Sequence, residues 1–476
     1  MSTLLLEPLM ADTVKWGRFS VGKGYLPPMG MISIYSYMKA RGKDITFIDT
    51  QFGEYGEEDI KNLLARKKDL RTVGIPVFTN SAYYSFKTAK LCKETRPDIK
   101  IVLGGVHVTA LPERSLDECP SADFIVLGEG EETLLELTDR IESGTAVKDI
   151  PGICYKENGK FHSTGCRPLI ADLDTLPITN YDDIDLSKYV PHATQYRVLP
   201  NFPLITQRGC PYKCTFCDAS LIHGKKTRFY SIARVMEELE LLVQKHGAKG
   251  VYFQDSTFSL NREYVVELCE NMIKKGFKLQ WACNTRCDRV DLELLKLMKK
   301  AGCWMINYGI ESANQESLDM IKKGIKLEQI VKAIRETKKS GIGITCSYIL
   351  CLPGETRAMT EKTIKFSQEL LTDAAMYYLP VPYPGTELAE SATRDGGLRA
   401  DATWKDYIAV DFDKPVYVNP LIGAEGMRYF YKKAYRDYYL NPHYILKMIY
   451  GLRRFSDVKR YARGLLALLN AFLVKS

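Results

Sequence analysis

Short apolar runs alternate with helix-period segments along most of this 476-residue chain, in two separate series. Such alternation favours parallel sheets, because parallel strands need a long crossover and a helix supplies it. The first series predicts strands at 3–7, 44–49, 72–78, 99–103 and 123–127, enough for a five-stranded doubly wound sheet. Gly104-Gly105 and Gly128-Glu129-Gly130 follow the last two strands, at the carboxyl ends where such sheets bind ligands. The second series predicts strands at 204–207, 250–254, 279–284, 305–308, 344–350 and 375–380. Helices fall between them, as at 231–246, where Ile232, Val235, Leu239 and Leu242 recur at helical spacing. From 149 to 200 the periodicity fades, and Asn158-Gly159 marks a hairpin inside a connector. The resulting expectation is an α/β chain in four parts: a doubly wound domain (1–145), a linker with a hairpin (146–199), a second βα domain (200–395) and a basic helical extension (396–476).

Composition supplies 45% hydrophobic residues, ample for two cores, and the leader and the span are both missing from the pattern. Residues 2–8 are too short for a signal peptide, and no apolar window is long enough to span a bilayer, so a cytoplasmic location is expected. Ten of the 13 cysteines are scattered, which fits reduced thiols better than a disulfide framework. The net charge of +8 hints at nucleic acid until it is located. Residues 427–476 hold eleven Lys or Arg against two Asp, so the excess belongs to the tail. That tail also carries Tyr444–Tyr450 and the leucine-rich stretch 464–474. Two readings stand open. A basic amphipathic helix can lie on a membrane, with Arg453, Arg454, Lys459, Arg460 and Arg463 at anionic headgroups, or the tail can pack on the second domain as a helical cap.

The remaining three cysteines, Cys210, Cys214 and Cys217, fall within eight residues in Arg-Gly-Cys-Pro-Tyr-Lys-Cys-Thr-Phe-Cys. Three thiolates can hold a [4Fe–4S] cluster and leave its fourth iron open to another ligand. A structural zinc site would need a fourth ligand at short range, and the nearest candidate, His223, lies six residues on. This Cys-x3-Cys-x2-Cys spacing, with Phe216 before the last cysteine, resembles the signature of the radical S-adenosylmethionine (SAM) superfamily. The resemblance implies a partial (β/α)6 barrel, with SAM chelating the open iron and being cleaved to a 5′-deoxyadenosyl radical. It also assigns SAM contacts to successive strand ends. Asp255 with Ser256 stands at the position that meets the methionine amino group, Arg286 at that for the carboxylate, and Glu311 with Ser312 at the ribose-binding pair. The segment 348–355 resembles the motif that packs the adenine. Singly these residues have ordinary readings, such as a helix cap for Asp255 or an ion pair between Arg286 and Asp288. Cys283 and Cys287 are expected to be packing residues, and Tyr377, Tyr378 and Tyr383 either close the barrel over a substrate or form a half-buried edge.

Tyr25-Leu-Pro-Pro-Met-Gly30, Gly104-Gly105-Val106-His107 and Gly128-Glu-Gly-Glu131 together resemble the cobalamin-binding domain that precedes many radical SAM domains. The resemblance makes the first domain Rossmann-like and places the corrinoid's nucleotide tail against loops around Thr79, Gly104, Gly105 and Val106. No histidine precedes His107, so the histidine ligand loop of the better-known cobalamin domains is absent.

The implied activity is that of a cobalamin-dependent radical SAM enzyme, foremost a methyltransferase acting on an unactivated carbon through the 5′-deoxyadenosyl radical and methylcobalamin. Two alternatives remain: an oxidative cyclase of tetrapyrrole or lipid type, and an Fe–S electron-transfer or binding protein that does not cleave SAM. The expected partners are a small-molecule or lipid-like substrate, a reductase or flavodoxin/ferredoxin electron donor, and a peripheral membrane surface at the tail. Nucleic acid is not among them, since the extra domains of RNA-modifying relatives are missing.

Overall fold

The computed structural model describes residues 1–11 and 23–451. Seven strands form the first sheet: β1 (Ser2–Leu6), β2 (Asp44–Ile48), β3 (Leu70–Pro76), β4 (Lys100–Gly104), β5 (Phe124–Val126), β6 (Ile153–Glu157) and β7 (Lys160–Ser163). Their order is 2-1-3-4-5-6-7. The first five are parallel, and the order reverses between β1 and β3, which is the switch point of a doubly wound sheet. The hairpin at Asn158-Gly159 forms, but it is not confined to a connector. β6 pairs antiparallel with β5 and extends the sheet to seven strands. Local turn chemistry announces a hairpin; which edge it joins is set by what lies beside it in space.

Two core clusters cover the two faces of this sheet, with Leu4, Val73 and Leu103 on one and Leu5, Val102 and Leu134 on the other. The central strands β1, β3, β4 and β5 are buried on both faces, so their sequences are mostly apolar.

The second sheet contains β8 (Asn201–Leu204), β11 (Gly250–Phe253), β12 (Gln280–Thr285), β13 (Cys303–Glu311), β14 (Gly343–Ile349) and β15 (Ala374–Tyr378), all parallel and in sequential order. β8 and β15 do not pair, which leaves an open six-stranded barrel. A short antiparallel pair, β9 (Gln207–Arg208) with β10 (Arg228–Phe229), brackets the cysteine segment. The outer helices begin at side-chain caps: Ser231, Asn261, Asp291 and Thr356 each accept a hydrogen bond from the backbone N–H three residues on. Their apolar stripes bury the barrel's outer face around Trp281, Phe253 and Phe258.

The free edge of β15 is covered by the helix Gly423–Tyr439. Tyr439 donates to Ala375 O at 2.9 Å and accepts from Ala375 N at 3.2 Å, while Tyr435 accepts from Tyr377 N at 3.3 Å. Tyr438 and Tyr444 donate to Thr372 O and Asp373 O. Tyrosine hydroxyls thus occupy the backbone groups that an edge strand leaves open. Tyr377 is packed in this layer, its ring 5.1 Å from Tyr435, and does not close the barrel. The basic residues Arg453, Arg454, Lys459, Arg460 and Arg463 and the stretch 464–474 lie outside the described residues.

Candidate functional site

Gly209 opens the cysteine segment with φ +95°, and a Cβ there would stand 2.5 Å from Lys226 O, so only glycine fits this turn. Cys210 N donates to Gly224 O, Cys217 N to Cys214 O, and Thr215 N to Ile321 O. These bonds fold the three cysteines over the barrel mouth. Cys210 and Cys214 are half-buried and Cys217 is exposed, while Phe216 packs its ring on the barrel core. Burial pushes the Cys214 thiol up, and Lys323 and Arg286 draw it back down. Among the described residues, no three His, Cys, Asp or Glu side chains converge as the ligands of a single ion would. Three cysteines on one loop are the donor set of a [4Fe–4S] cluster with one open iron.

Arg286, at the end of β12, forks onto Asp288 at 2.9 and 3.1 Å and lies 3.6 Å over the ring of Tyr212 within the cysteine segment. Its Nη1 is buried without a hydrogen-bond partner, an orphan donor of the kind a carboxylate would satisfy. At the end of β13, Glu311 adopts φ +67°, a left-handed conformation that costs a non-glycine residue strain. Its Oε1 accepts from Lys323 Nζ at 2.7 Å, with both side chains 8% exposed. A Cβ on Gly309 would meet Glu311 Oε1 at 2.4 Å, so the glycine makes room for this pair. Cys214, Arg286, Glu311 and Lys323 form one electrostatic group at the barrel mouth.

Asp255 and Ser312 face elsewhere. The Asp255 carboxylate accepts from Thr206 N, Thr206 Oγ1 and Gln207 N, at 2.8, 2.8 and 3.1 Å. Burial pushes its pKa up to about 7 against the pull of those donors. Ser256 beside it is exposed. Ser312 Oγ donates to Glu355 Oε1 at 2.8 Å, which ties the loops after β13 and β14 together. Cys283 and Cys287 are fully enclosed in the core.

A second feature adjoins the cysteine segment. A cavity of about 670 Å³ lies between the carboxyl edge of the first sheet and the barrel. Gly104, Gly105, Val106 and the 128–131 loop line one side; Ile205, Arg208, Ile222 and His223 line the other. Gly105 has φ +113°, and a Cβ on it would press on Val77 O at 2.8 Å. Thr79 does not reach the cavity. It is buried behind, with Oγ1 3.3 Å from His107 Nδ1. His107 packs edge-on against Trp404 at 4.6 Å, and burial lowers its pKa to about 4. A roomy, glycine-lined and largely apolar cleft at the switch point fits a corrinoid held through its periphery, with no histidine on the first sheet's side to ligate cobalt.

Sequence reasoning missed Lys323, which reads as one of several surface lysines until Glu311 is placed beside it. It also missed Glu129, Glu131, Arg208 and Arg228. The two glutamates belong to the Gly128–Glu131 motif, and only burial reveals the charges they pair with.

Residues 204–367 match the radical SAM superfamily, and residues 17–138 match the B12 binding domain. The chain is 36% identical to the uncharacterized methyltransferase PH0819 of Pyrococcus horikoshii, over 98% of both chains. It is 31% identical to the anaerobic magnesium-protoporphyrin IX monomethyl ester cyclase of Rubrivivax gelatinosus, over 87% of this chain and 76% of that one. The fold is that of the radical SAM methyltransferase TsrM of Kitasatospora setae, solved with cobalamin and a [4Fe–4S] cluster bound, at TM-score 0.71 and 18% identity over 93% of this chain and 89% of that one. The chain is an enzyme with a radical SAM domain and a B12-binding domain. With both domains matched and a relative aligned end to end, the chain belongs to the radical SAM superfamily, in the family that carries a B12-binding domain ahead of the radical SAM core.

Proposed function

We propose that this enzyme is a cobalamin-dependent radical SAM methyltransferase that acts on an unactivated carbon of a small-molecule substrate. The observation that carries the reading is the cavity that adjoins the cysteine segment. One wall is the glycine-lined edge of the first sheet, and the other is the segment that flanks Cys210, Cys214 and Cys217. When bound, the cluster and SAM supply a hydrogen-abstracting 5′-deoxyadenosyl radical, and the corrinoid carries the methyl group.

The chain's own residues hold, orient and shield. Cys210, Cys214 and Cys217 give the three thiolates, with Phe216 anchoring their loop to the barrel core. Arg286 offers Nη1 to the SAM carboxylate while Asp288 and Tyr212 fix its plane. Glu311 spends Oε1 on Lys323 and presents its other oxygen to a ribose hydroxyl. Ser312 supports this arrangement through Glu355. Asp255 acts through the loop at Thr206 and Gln207 that leads into the cysteine segment, and exposed Ser256 is the residue of that strand end left to meet the ligand. Gly104, Gly105 and Val106 receive the corrinoid, with Thr79 bracing them from behind.

An oxidative cyclase would use the same cofactors. The relative aligned over 98% of both chains bears a methyltransferase name, whereas the cyclase aligns over 76% of its length, which favours methyl transfer. The test is anaerobic reconstitution with iron, sulfide, hydroxocobalamin, SAM and a flavodoxin or ferredoxin reductant. Methyl transfer yields S-adenosylhomocysteine alongside 5′-deoxyadenosine, and Cys214→Ala abolishes 5′-deoxyadenosine. A wild type that makes 5′-deoxyadenosine and no S-adenosylhomocysteine would point to the cyclase.

Membrane contact at the tail is part of the same proposal. No described helix is long and apolar enough to cross a bilayer. Leu440, Ile445, Leu446 and Ile449 are exposed at the end of the described chain, directly ahead of 452–476, where six Lys or Arg meet one Asp. Apolar side chains followed by positive charge suit an anionic lipid surface and a lipid-like substrate. Flotation with anionic vesicles should capture the full chain and lose a chain ending at Asn441; equal flotation would sink the idea.

A further inference from the structure

Glu129 stands between Gly128 and Gly130 on the lip of the cavity, and its carboxylate is 4% exposed. Oε1 accepts from Arg208 Nη1 at 3.2 Å, Arg228 Nη2 at 2.9 Å and His223 Nδ1 at 3.0 Å. Oε2 accepts from Arg228 Nη1 at 2.9 Å and from Ile170 N at 3.0 Å. Arg208 Nη2 then reaches Glu131 Oε1 at 2.6 Å and Ser33 Oγ at 2.9 Å. Arg208 lies two residues before Cys210, and Arg228 sits on the strand that closes the cysteine segment. Both strands that flank the cluster loop are therefore gripped by the loop that lines the corrinoid side.

We propose that Arg208, Glu129 and Glu131 are positioning residues that fix the spacing between the cluster and the corrinoid, an inference that rests on the corrinoid reading above. Apolar surfaces tolerate sliding; buried charges do not. A shift between the two domains would leave a guanidinium or a carboxylate unpaired in a low-dielectric site, so the network admits one register. The forked geometry of Arg208, one nitrogen on each carboxylate, adds direction to that constraint. Glu129 carries three nitrogen-bearing side chains and a backbone donor, more than holding a loop closed requires, and every one of the side chains comes from the second domain.

The experiment reads the spacing directly. Reduced [4Fe–4S] and cob(II)alamin are both paramagnetic, so pulsed electron paramagnetic resonance on the reconstituted holoenzyme measures their dipolar coupling. Wild type should give one narrow distribution. Arg208→Lys keeps the charge but holds one carboxylate where arginine holds two, and it should broaden and shift that distribution at unchanged iron and cobalt content. A purely stabilising network would lower the melting temperature and leave the distribution unmoved, and that result would overturn the proposal. If Arg208→Lys fails to fold, Glu131→Gln, isosteric and distant in sequence from the cysteines, decides by the same criterion. A wild type that takes up iron but no cobalt would remove the corrinoid reading and this inference with it, a failure distinct from an unmoved distribution.

Discussion

The barrel mouth and the cavity lip both place buried charge beside a proposed cofactor site, yet they are held in opposite ways. At the barrel mouth each charged group finds its partner close in sequence: Arg286 with Asp288, two residues on, and Glu311 with Lys323, twelve on. At the lip the partners lie 77 to 99 residues apart, because Glu129 and Glu131 are paired by Arg208 and Arg228 of the other domain. Local pairs let the barrel assemble its own site. The long-range network ties the first domain's lip to the strands that flank the cysteine segment.

Breaking the lip should cost most. Glu129→Ala takes the one carboxylate from Arg228 and one of two from Arg208 in a buried setting, and loss of one partner from such a network destabilises by about 3–5 kcal/mol. Urea unfolding should show that loss, and a change below about 1 kcal/mol would mean that water already reaches the arginines. Lys323→Met tests the local pair. It leaves Glu311 without its cation at a strained φ, and we expect a loss of about 3 kcal/mol together with weaker SAM binding, read by equilibrium dialysis. Unchanged SAM affinity would confine Lys323 to folding.

The wall behind the lip titrates. His107 has its pKa lowered from 6.5 to about 4 by burial, so the unfolded chain binds more protons than the folded one between those values. Stability from this residue is therefore present above about pH 6.5 and is lost as pH falls toward 4, by up to about 3 kcal/mol. Thermal unfolding of His107→Gln should show a shallower acid slope than wild type. The smallest effect belongs to the far side of the barrel. Tyr438→Phe removes one hydroxyl that donates to Thr372 O, worth about 1 kcal/mol, with no change at either cofactor site.

How much the sequence could show follows from the same contrast. The six barrel strands and the five parallel strands of the first sheet are legible because each is a short, mostly apolar run set between helix-period segments. The cysteine segment is legible because its spacing is local. The attachment of the hairpin to β5 is not, since turn residues dictate a hairpin and say nothing of its neighbour. Asp255 is legible as a strand-end carboxylate, but its hydrogen bonds run to Thr206 and Gln207, a contact made across 49 residues. Lys323 and the lip network share that character: each becomes meaningful only when chain segments far apart are brought together.

The central claim is that the cavity beside the cysteine segment receives a corrinoid next to the cluster. Its most direct test is the metal content of the full chain after anaerobic reconstitution with iron, sulfide and hydroxocobalamin, followed by gel filtration. The account predicts about four irons and about one cobalt retained per chain. Retention of the irons with no cobalt would contradict it.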